Sequence, residues 1–122
     1  MRYMLLIYGD PGAGPAEGSH EAQAEMQKWY AYTQGLVGDG SFVAGDPLQG
    51  VDQATTVRVR DGKDLVTDGP FAETKEFLGG YYIVDVSDLD AALERAKRMP
   101  NIEHGSVEVR PIMEMPAEAP TP

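Results

Sequence analysis

Two stretches decide the fold: residues 3–8, Tyr3-Met4-Leu5-Leu6-Ile7-Tyr8, and residues 80–86, Gly80-Tyr81-Tyr82-Ile83-Val84-Asp85-Val86. Each is apolar at almost every position. Successive side chains of a strand point to opposite faces, so both faces of these strands are apolar, as in strands near the middle of a sheet. Two helices are available to cover them. From Ser19, a candidate N-cap, Ala22, Met26, Trp29, Tyr30, Thr33, Leu36 and Val37 recur at three- and four-residue steps, and Gly38 and Gly40 end that helix. Ser87 with Asp90 approximates a capping box for a second helix, whose stripe is Leu89, Ala92, Leu93, Ala96 and Met99, stopped by Pro100. Two helices of this length shield one face of a sheet and leave the other bare. Each apolar side chain left in water forgoes roughly 1.5–3 kcal/mol, and a second copy packed sheet to sheet is the simplest cover. Closed twofold pairs are the commonest oligomers, so a homodimer is expected. The alternative cover is the loop of residues 46–54, which is mostly polar.

Between these landmarks, residues 41–45 read as a short strand turned by Gly45-Asp46-Pro47. Thr56-Val57-Arg58-Val59-Arg60 alternates, and Asp61-Gly62 favours a tight hairpin into Leu65-Val66-Thr67. Asp68-Gly69-Pro70-Phe71 makes a further turn. Val107 and Val109 alternate with Glu108 and Arg110 in a last strand, which Pro111 assigns to an edge because proline cannot donate to a ladder. The order is βαββαβ with an inserted hairpin, an α+β domain over residues 1–115 followed by a proline-rich, disordered tail over 116–122.

Twenty acidic against ten basic residues give a net charge of −10. That potential repels phosphate backbones and anionic headgroups, so neither nucleic acid nor a membrane surface is an expected partner. There is no cysteine, which removes disulfides and thiolate metal sites and is compatible with a reducing compartment. The N-terminal apolar run is too short to span a bilayer and lacks a signal-peptide cleavage pattern, so a cytoplasmic protein is expected.

The densest polar cluster lies between strands: Asp68, Glu73, Lys75 and Glu76 within nine residues. A positioned carboxylate beside an ammonium can hold a polar ligand or move a proton, making Asp68 the candidate acid-base residue and Glu73 and Lys75 candidate ligand-binding residues. As a base Asp68 needs a pKa raised by burial. The structural alternative is a turn in which Asp68 bonds its own backbone and Phe71 plugs the core. Gly79-Gly80 either bends the strand or lets a ligand approach the backbone, and of Tyr81 and Tyr82, on opposite faces, one can line a cleft. Gly80 and Tyr81 are therefore further ligand candidates. Arg58 and Arg60 read as solvated or paired with Glu108, unless one clamps a carboxylate, and Arg110 has the same two readings and completes the candidate ligand set. The Gly9–Gly18 loop lacks phosphate-loop spacing. His20 and His104 stand alone, so no metal and no cofactor is expected. Trp29 and Tyr30 read as core.

The run Val66-Thr67-Asp68-Gly69-Pro70-Phe71-Ala72-Glu73-Thr74-Lys75-Glu76-Phe77-Leu78-Gly79-Gly80-Tyr81-Tyr82-Ile83 closely resembles the DGPF signature of the YCII-related protein family. Residues 3–8, 56–62 and 105–111 agree with it. The resemblance implies a ferredoxin-like fold forming a dimeric α+β barrel with an antiparallel sheet. It does not imply one activity: some relatives resemble enzymes acting on small lactones, and DGPF proteins are often encoded beside extracytoplasmic-function sigma factors. Two functions follow as expectations, a small-molecule enzyme or ligand-binding dimer with a cleft near Asp68, or a non-catalytic partner linked to a sigma factor. For the wider group the resemblance also implies a His and Asp pair near a cleft, the His on the first helix. The matching place here, counted back from Gly40, falls at about Trp29, with His20 more than two turns earlier.

Overall fold

The computed structural model describes residues 1–10, 12, 14–72 and 74–116. Glu73 and residues 117–122, nearly all of the expected tail, lie outside the described residues. The chain runs β1 (Arg2–Gly9), α1 (His20–Gly38), β2 (Phe42–Pro47), a single 3-10 turn (Val51–Gln53), β3 (Thr55–Arg60), β4 (Lys63–Asp68), β5 (Phe77–Asp85), α2 (Leu89–Lys97) and β6 (Ser106–Pro111). Four strands form one sheet in the order β2-β5-β1-β6, with every neighbouring pair antiparallel. Each helix carries the chain across one intervening strand, the interleaved arrangement of a ferredoxin-like α+β fold. The two apolar runs are the two central strands, as their composition dictates.

The register Tyr3↔Val84 and Leu5↔Tyr82 sets the core residues of the central strands side by side. Leu36 of α1 and Ala92 of α2 bury themselves on them together with Met99, and Val107 and Val109 of β6 close the side. Both helices therefore cover one face. Met4, Leu6 and Ile83 point to the other, where they are half-buried. Residues 46–51 line a cleft on the helix side, and at the sheet edge the Asp46 carboxylate reaches the Tyr81 hydroxyl, which lies on the other face with Leu6.

Ser19 caps α1 as expected, its Oγ accepting from the amide of Ala22 at 3.1 Å, and Gly40 follows the helix at φ +81°. The buried stripe is rotated from the expected one. Met26, Tyr30 and Val37 are exposed, whereas Tyr32 turns inward and donates its hydroxyl to the carbonyl of Arg95 at 2.8 Å. Burial, then the neighbouring Tyr82, push the Tyr32 phenol far above its ordinary pKa. Arg95 also holds Asp39 at 3.2 Å and Ser41 at 3.1 Å, tying the end of α1 to α2. The N-cap of α2 is Asp88 rather than Ser87, because the Asp88 carboxylate reaches the Ala91 amide at 2.9 Å. Glu94 and Arg98 form the expected i,i+4 pair at 3.1 Å.

Two further expectations change. β2 does not turn at Gly45 but continues through Pro47. It is an edge strand, where a residue without an N–H is tolerated. β3 and β4 form a separate two-stranded ribbon, so Arg58 and Arg60 never reach Glu108, which pairs with Arg110 at 2.8 Å instead. The ribbon turn itself is the expected one, with Asp61 at φ 53° and Gly62 at φ 73°. Pro111 ends β6, the other edge of the main sheet.

Candidate functional site

A cavity of about 590 Å³ opens between α1, the end of β1, the β2 end with the segment that follows it, and the start of β5. Its volume lies within the range of small-molecule sites, roughly 300–1,000 Å³. Trp29 and Thr33 of α1, Phe42 and Gly45 of β2, Leu48 and Val51 beyond it, and Phe77 and Tyr82 of β5 line it. None of the lining residues is lysine, arginine or histidine, while Asp10 and Asp46 are among them.

Local sequence explains why the space exists. A Cβ on Gly45 would stand 2.7 Å from Cδ1 of Tyr82 and 3.1 Å from the Tyr81 carbonyl oxygen, so only glycine lets β2 lie against that ring. A Cβ on Gly80 would meet the Asp46 carbonyl oxygen at 3.0 Å. Beside it, the ladder between β1 and β5 skips Gly79, pairing Ile7 with Gly80 and Tyr8 with Leu78, and the freed Gly79 carbonyl accepts from Leu48 at 2.9 Å. The Gly79-Gly80 pair is thus a bulge and a close approach of two strands. The bulge brings Leu48 to the wall, and the wall to the cavity.

The buried end is aromatic. Tyr82 is stacked with Trp29 at 6.4 Å between ring centroids and meets Tyr32 and Phe42 edge-on at 5.4 and 6.3 Å. Its hydroxyl lies 2.5 Å from Oγ1 of Thr33, which in turn lies 2.9 Å from the Trp29 carbonyl oxygen. Asn101, between α2 and β6, also lines the cleft and donates to the Tyr8 carbonyl at 3.3 Å, leaving its buried Oδ1 without a protein partner.

Of the residues singled out in the sequence, Gly80 and Tyr81 are among those that line the cleft, the Tyr81 side chain lying on the face of β5 opposite Tyr82. Tyr81 donates to Asp46 Oδ2 at 2.8 Å, and this bond holds its phenol above the usual pKa. Asp68 and Lys75 are exposed and do not line it, and Arg110, paired with Glu108 on the edge strand, is not part of it either. Glu73 lies outside the described residues. The Asp68–Phe71 turn folds back on the root of the ribbon. Gly69, at φ +105°, donates to Ala54 at 2.8 Å and accepts from Thr56 at 2.8 Å, and Arg58 donates to Phe71 at 3.2 Å. Phe71 does not plug the core. It is 74% exposed, with the Arg58 guanidinium 5.1 Å above its ring.

Trp29 and Thr33 were legible as helix stripe but not as cavity lining. The available signal was a threonine in an otherwise apolar stripe opposite a tyrosine-rich strand. Among the described residues no group of three or more potential ligands is placed to hold a metal, and no helix is long and apolar enough to cross a membrane.

Comparison with known proteins bears on the fold and the family. Among solved structures, 5-chloro-2-hydroxyhydroquinone dehydrochlorinase (TftG) from Burkholderia phenoliruptrix AC1100, in complex with 2,5-dihydroxybenzoquinone, superposes with a TM-score of 0.54 at 14% identity, over 94% of this chain and 96% of that one. At that identity the likeness is one of fold. An uncharacterised protein of Rhizobium meliloti (strain 1021) is 36% identical over 124 residues, spanning 99% of this chain and all of the relative. Neither comparison supports the link to a sigma factor, and the family match is to the whole family rather than to a DGPF subgroup. The YCII-related domain matches residues 1–116, which take in the whole main sheet, both helices and the residues that line the cleft, and the chain belongs to that family.

Proposed function

We propose that this chain is a small-molecule enzyme whose cleft between α1, β2 and β5 takes up a small, flat, uncharged ring compound. The observation that carries the reading is the lining: about 590 Å³ walled by Trp29, Phe42, Phe77 and Tyr82 without a single cationic side chain. Aromatic walls favour a flat ring. A carboxylate or phosphate would meet no counter-charge there, only the Asp10 carboxylate and the field of a chain with net charge −10. The dehydrochlorinase of the same fold, described with a dihydroxybenzoquinone, supports the flat ring in this reading. The groups in the cleft able to handle a proton are the Asp10 carboxylate at its rim and the Tyr82–Thr33 hydroxyl pair at its buried end. Gly80 and Tyr81 belong to this reading, whereas Asp68, Lys75 and Arg110 stand outside it.

Trp29 is the only tryptophan in the chain, so its emission reports on the cleft directly. Titration with hydroquinone should change that emission saturably, and the same ring carrying a carboxylate, 4-hydroxybenzoate, should bind at least about tenfold more weakly. Tighter binding of the carboxylate would refute the reading.

We also propose that the protein pairs with a second copy across the bare face carrying Met4, Leu6 and Ile83. Support comes from that half-buried apolar set on the side of the central strands that no helix covers. Leu6→Asp should then shift the sedimentation of the protein from dimer to monomer, and a wild-type protein that sediments as a monomer at micromolar concentration would refute the pairing.

A further inference from the structure

We infer that the buried end of the cleft selects ligands that present a hydrogen-bond donor, and that Thr33 sets this preference by fixing the direction of the Tyr82 hydroxyl. The inference rests on the ring-binding reading above and adds a polarity to it. Thr33 has one hydroxyl proton. Its Oγ1 lies 2.9 Å from the carbonyl oxygen of Trp29, one helical turn back, and 2.5 Å from the Tyr82 hydroxyl. A carbonyl oxygen can only accept, so the Thr33 proton goes to Trp29 and Thr33 is left to accept from Tyr82. The single Tyr82 proton is thereby committed to Thr33.

What Tyr82 has left to offer a ligand is lone pairs. Two lining groups agree with it in sign: the Asp10 carboxylate accepts when ionised, and Asn101 gives one amide hydrogen to Tyr8 and leaves its buried Oδ1 as an acceptor without a protein partner. Tyr82 is 9% exposed and boxed by Trp29, Tyr32 and Phe42, so its ring cannot swing to find another acceptor. A ring hydroxyl placed beside it would donate; an ether or carbonyl oxygen at the same place would face lone pairs with lone pairs. Thr33 is on this account a positioning residue, acting through Tyr82.

Two probes built on one ring separate the possibilities: hydroquinone, with two donors, and its dimethyl ether 1,4-dimethoxybenzene, with none. Calorimetric titration of the wild-type chain should show hydroquinone binding about tenfold tighter, the worth of one net hydrogen bond. Tyr82→Phe should bring the two affinities to within about threefold. Thr33→Val removes the acceptor, frees the Tyr82 proton for the ligand, and should reverse the preference in favour of the ether. Thr33→Ser, which keeps the hydroxyl, should keep the wild-type ratio, and this variant guards against loss through misfolding. If wild type binds both rings equally, the ring-binding reading stands and the donor preference is overturned. If Thr33→Val leaves the ratio unchanged, the role of Thr33 is overturned. If neither ring binds at millimolar concentration, the ring-binding reading fails and carries this inference down with it.

Discussion

Two walls of the cleft and the ribbon between them come from one continuous length of chain, residues 42–82, yet they have opposite characters. The cleft walls, Gly45–Val51 and Phe77–Tyr82, are anchored to the central sheet by the β2–β5 ladder and by the Leu48–Gly79 bond. The ribbon between them, β3 and β4, pairs only with itself. Every residue of β4 is exposed, as are Val57, Val59 and Phe71. Charged side chains crowd the ribbon and the turn that leaves it, while Asp10 and Asp46 are the only acidic or basic residues among those that line the cleft. A cluster of acids and bases along a sequence is thus no guide to where a pocket lies. The enclosure comes from glycines that let strands approach and from aromatic rings that meet only in three dimensions.

That contrast can be broken by mutation, and the largest effect should come from the anchored side. Leu5 is fully buried beneath both helices, so Leu5→Ala should lower the unfolding free energy in urea by about 2–5 kcal/mol, while Val57→Ala in the ribbon should change it by less than about 0.5 kcal/mol. Equal costs would mean that the ribbon is as firmly packed as the core. Gly45→Ala comes next. The added methyl drives into the Tyr82 ring and the Tyr81 carbonyl, an overpacking cost of about 1–3 kcal/mol, and hydroquinone binding should weaken with it because Tyr82 must move.

A smaller effect concerns pH and the junction of the two helices. The Ser41 hydroxyl, 2.5 Å from Asp39, is the main cause holding that carboxyl below the usual carboxylate range, and Arg95 adds to it. A carboxyl depressed in the folded state contributes stability that is fully present above its unfolded pKa and is lost as the pH falls through the folded one. Asp39→Asn should therefore lower the melting temperature at neutral pH and converge with wild type in acid; a constant difference at all pH values would contradict this. The smallest effect is expected at the turn leaving the ribbon. Asp68→Asn should leave ring affinity within about twofold of wild type, because Asp68 lies outside the cleft.

Much of the architecture could be read from sequence because it rests on local or one-dimensional signals. Runs apolar on both faces marked β1 and β5, Asp61-Gly62 marked the ribbon turn, Ser19 marked the start of α1, and Pro111 marked an edge. The errors have one physical source, tertiary context overriding local propensity. Pro47 looked like a stop, but an edge strand has no inward N–H to lose there. Tyr32 was passed over for Met26 and Tyr30 because a stripe counted in threes and fours leaves the helix rotation open by one residue. The site was less legible than the fold. Trp29, Thr33 and Tyr82 converge from two elements 49 positions apart at their closest contact, which no spacing along the chain records.

The central claim is that ligands enter the aromatic cleft and not the Asp68 turn, and mapping amide shifts by NMR during titration with hydroquinone tests it most directly. The account predicts perturbation of the Trp29 indole and of the Gly45, Gly79 and Gly80 amides, with Asp68, Gly69 and Lys75 still. Shifts concentrated at Asp68, Gly69 and Lys75, with the Trp29 indole unmoved, would contradict it.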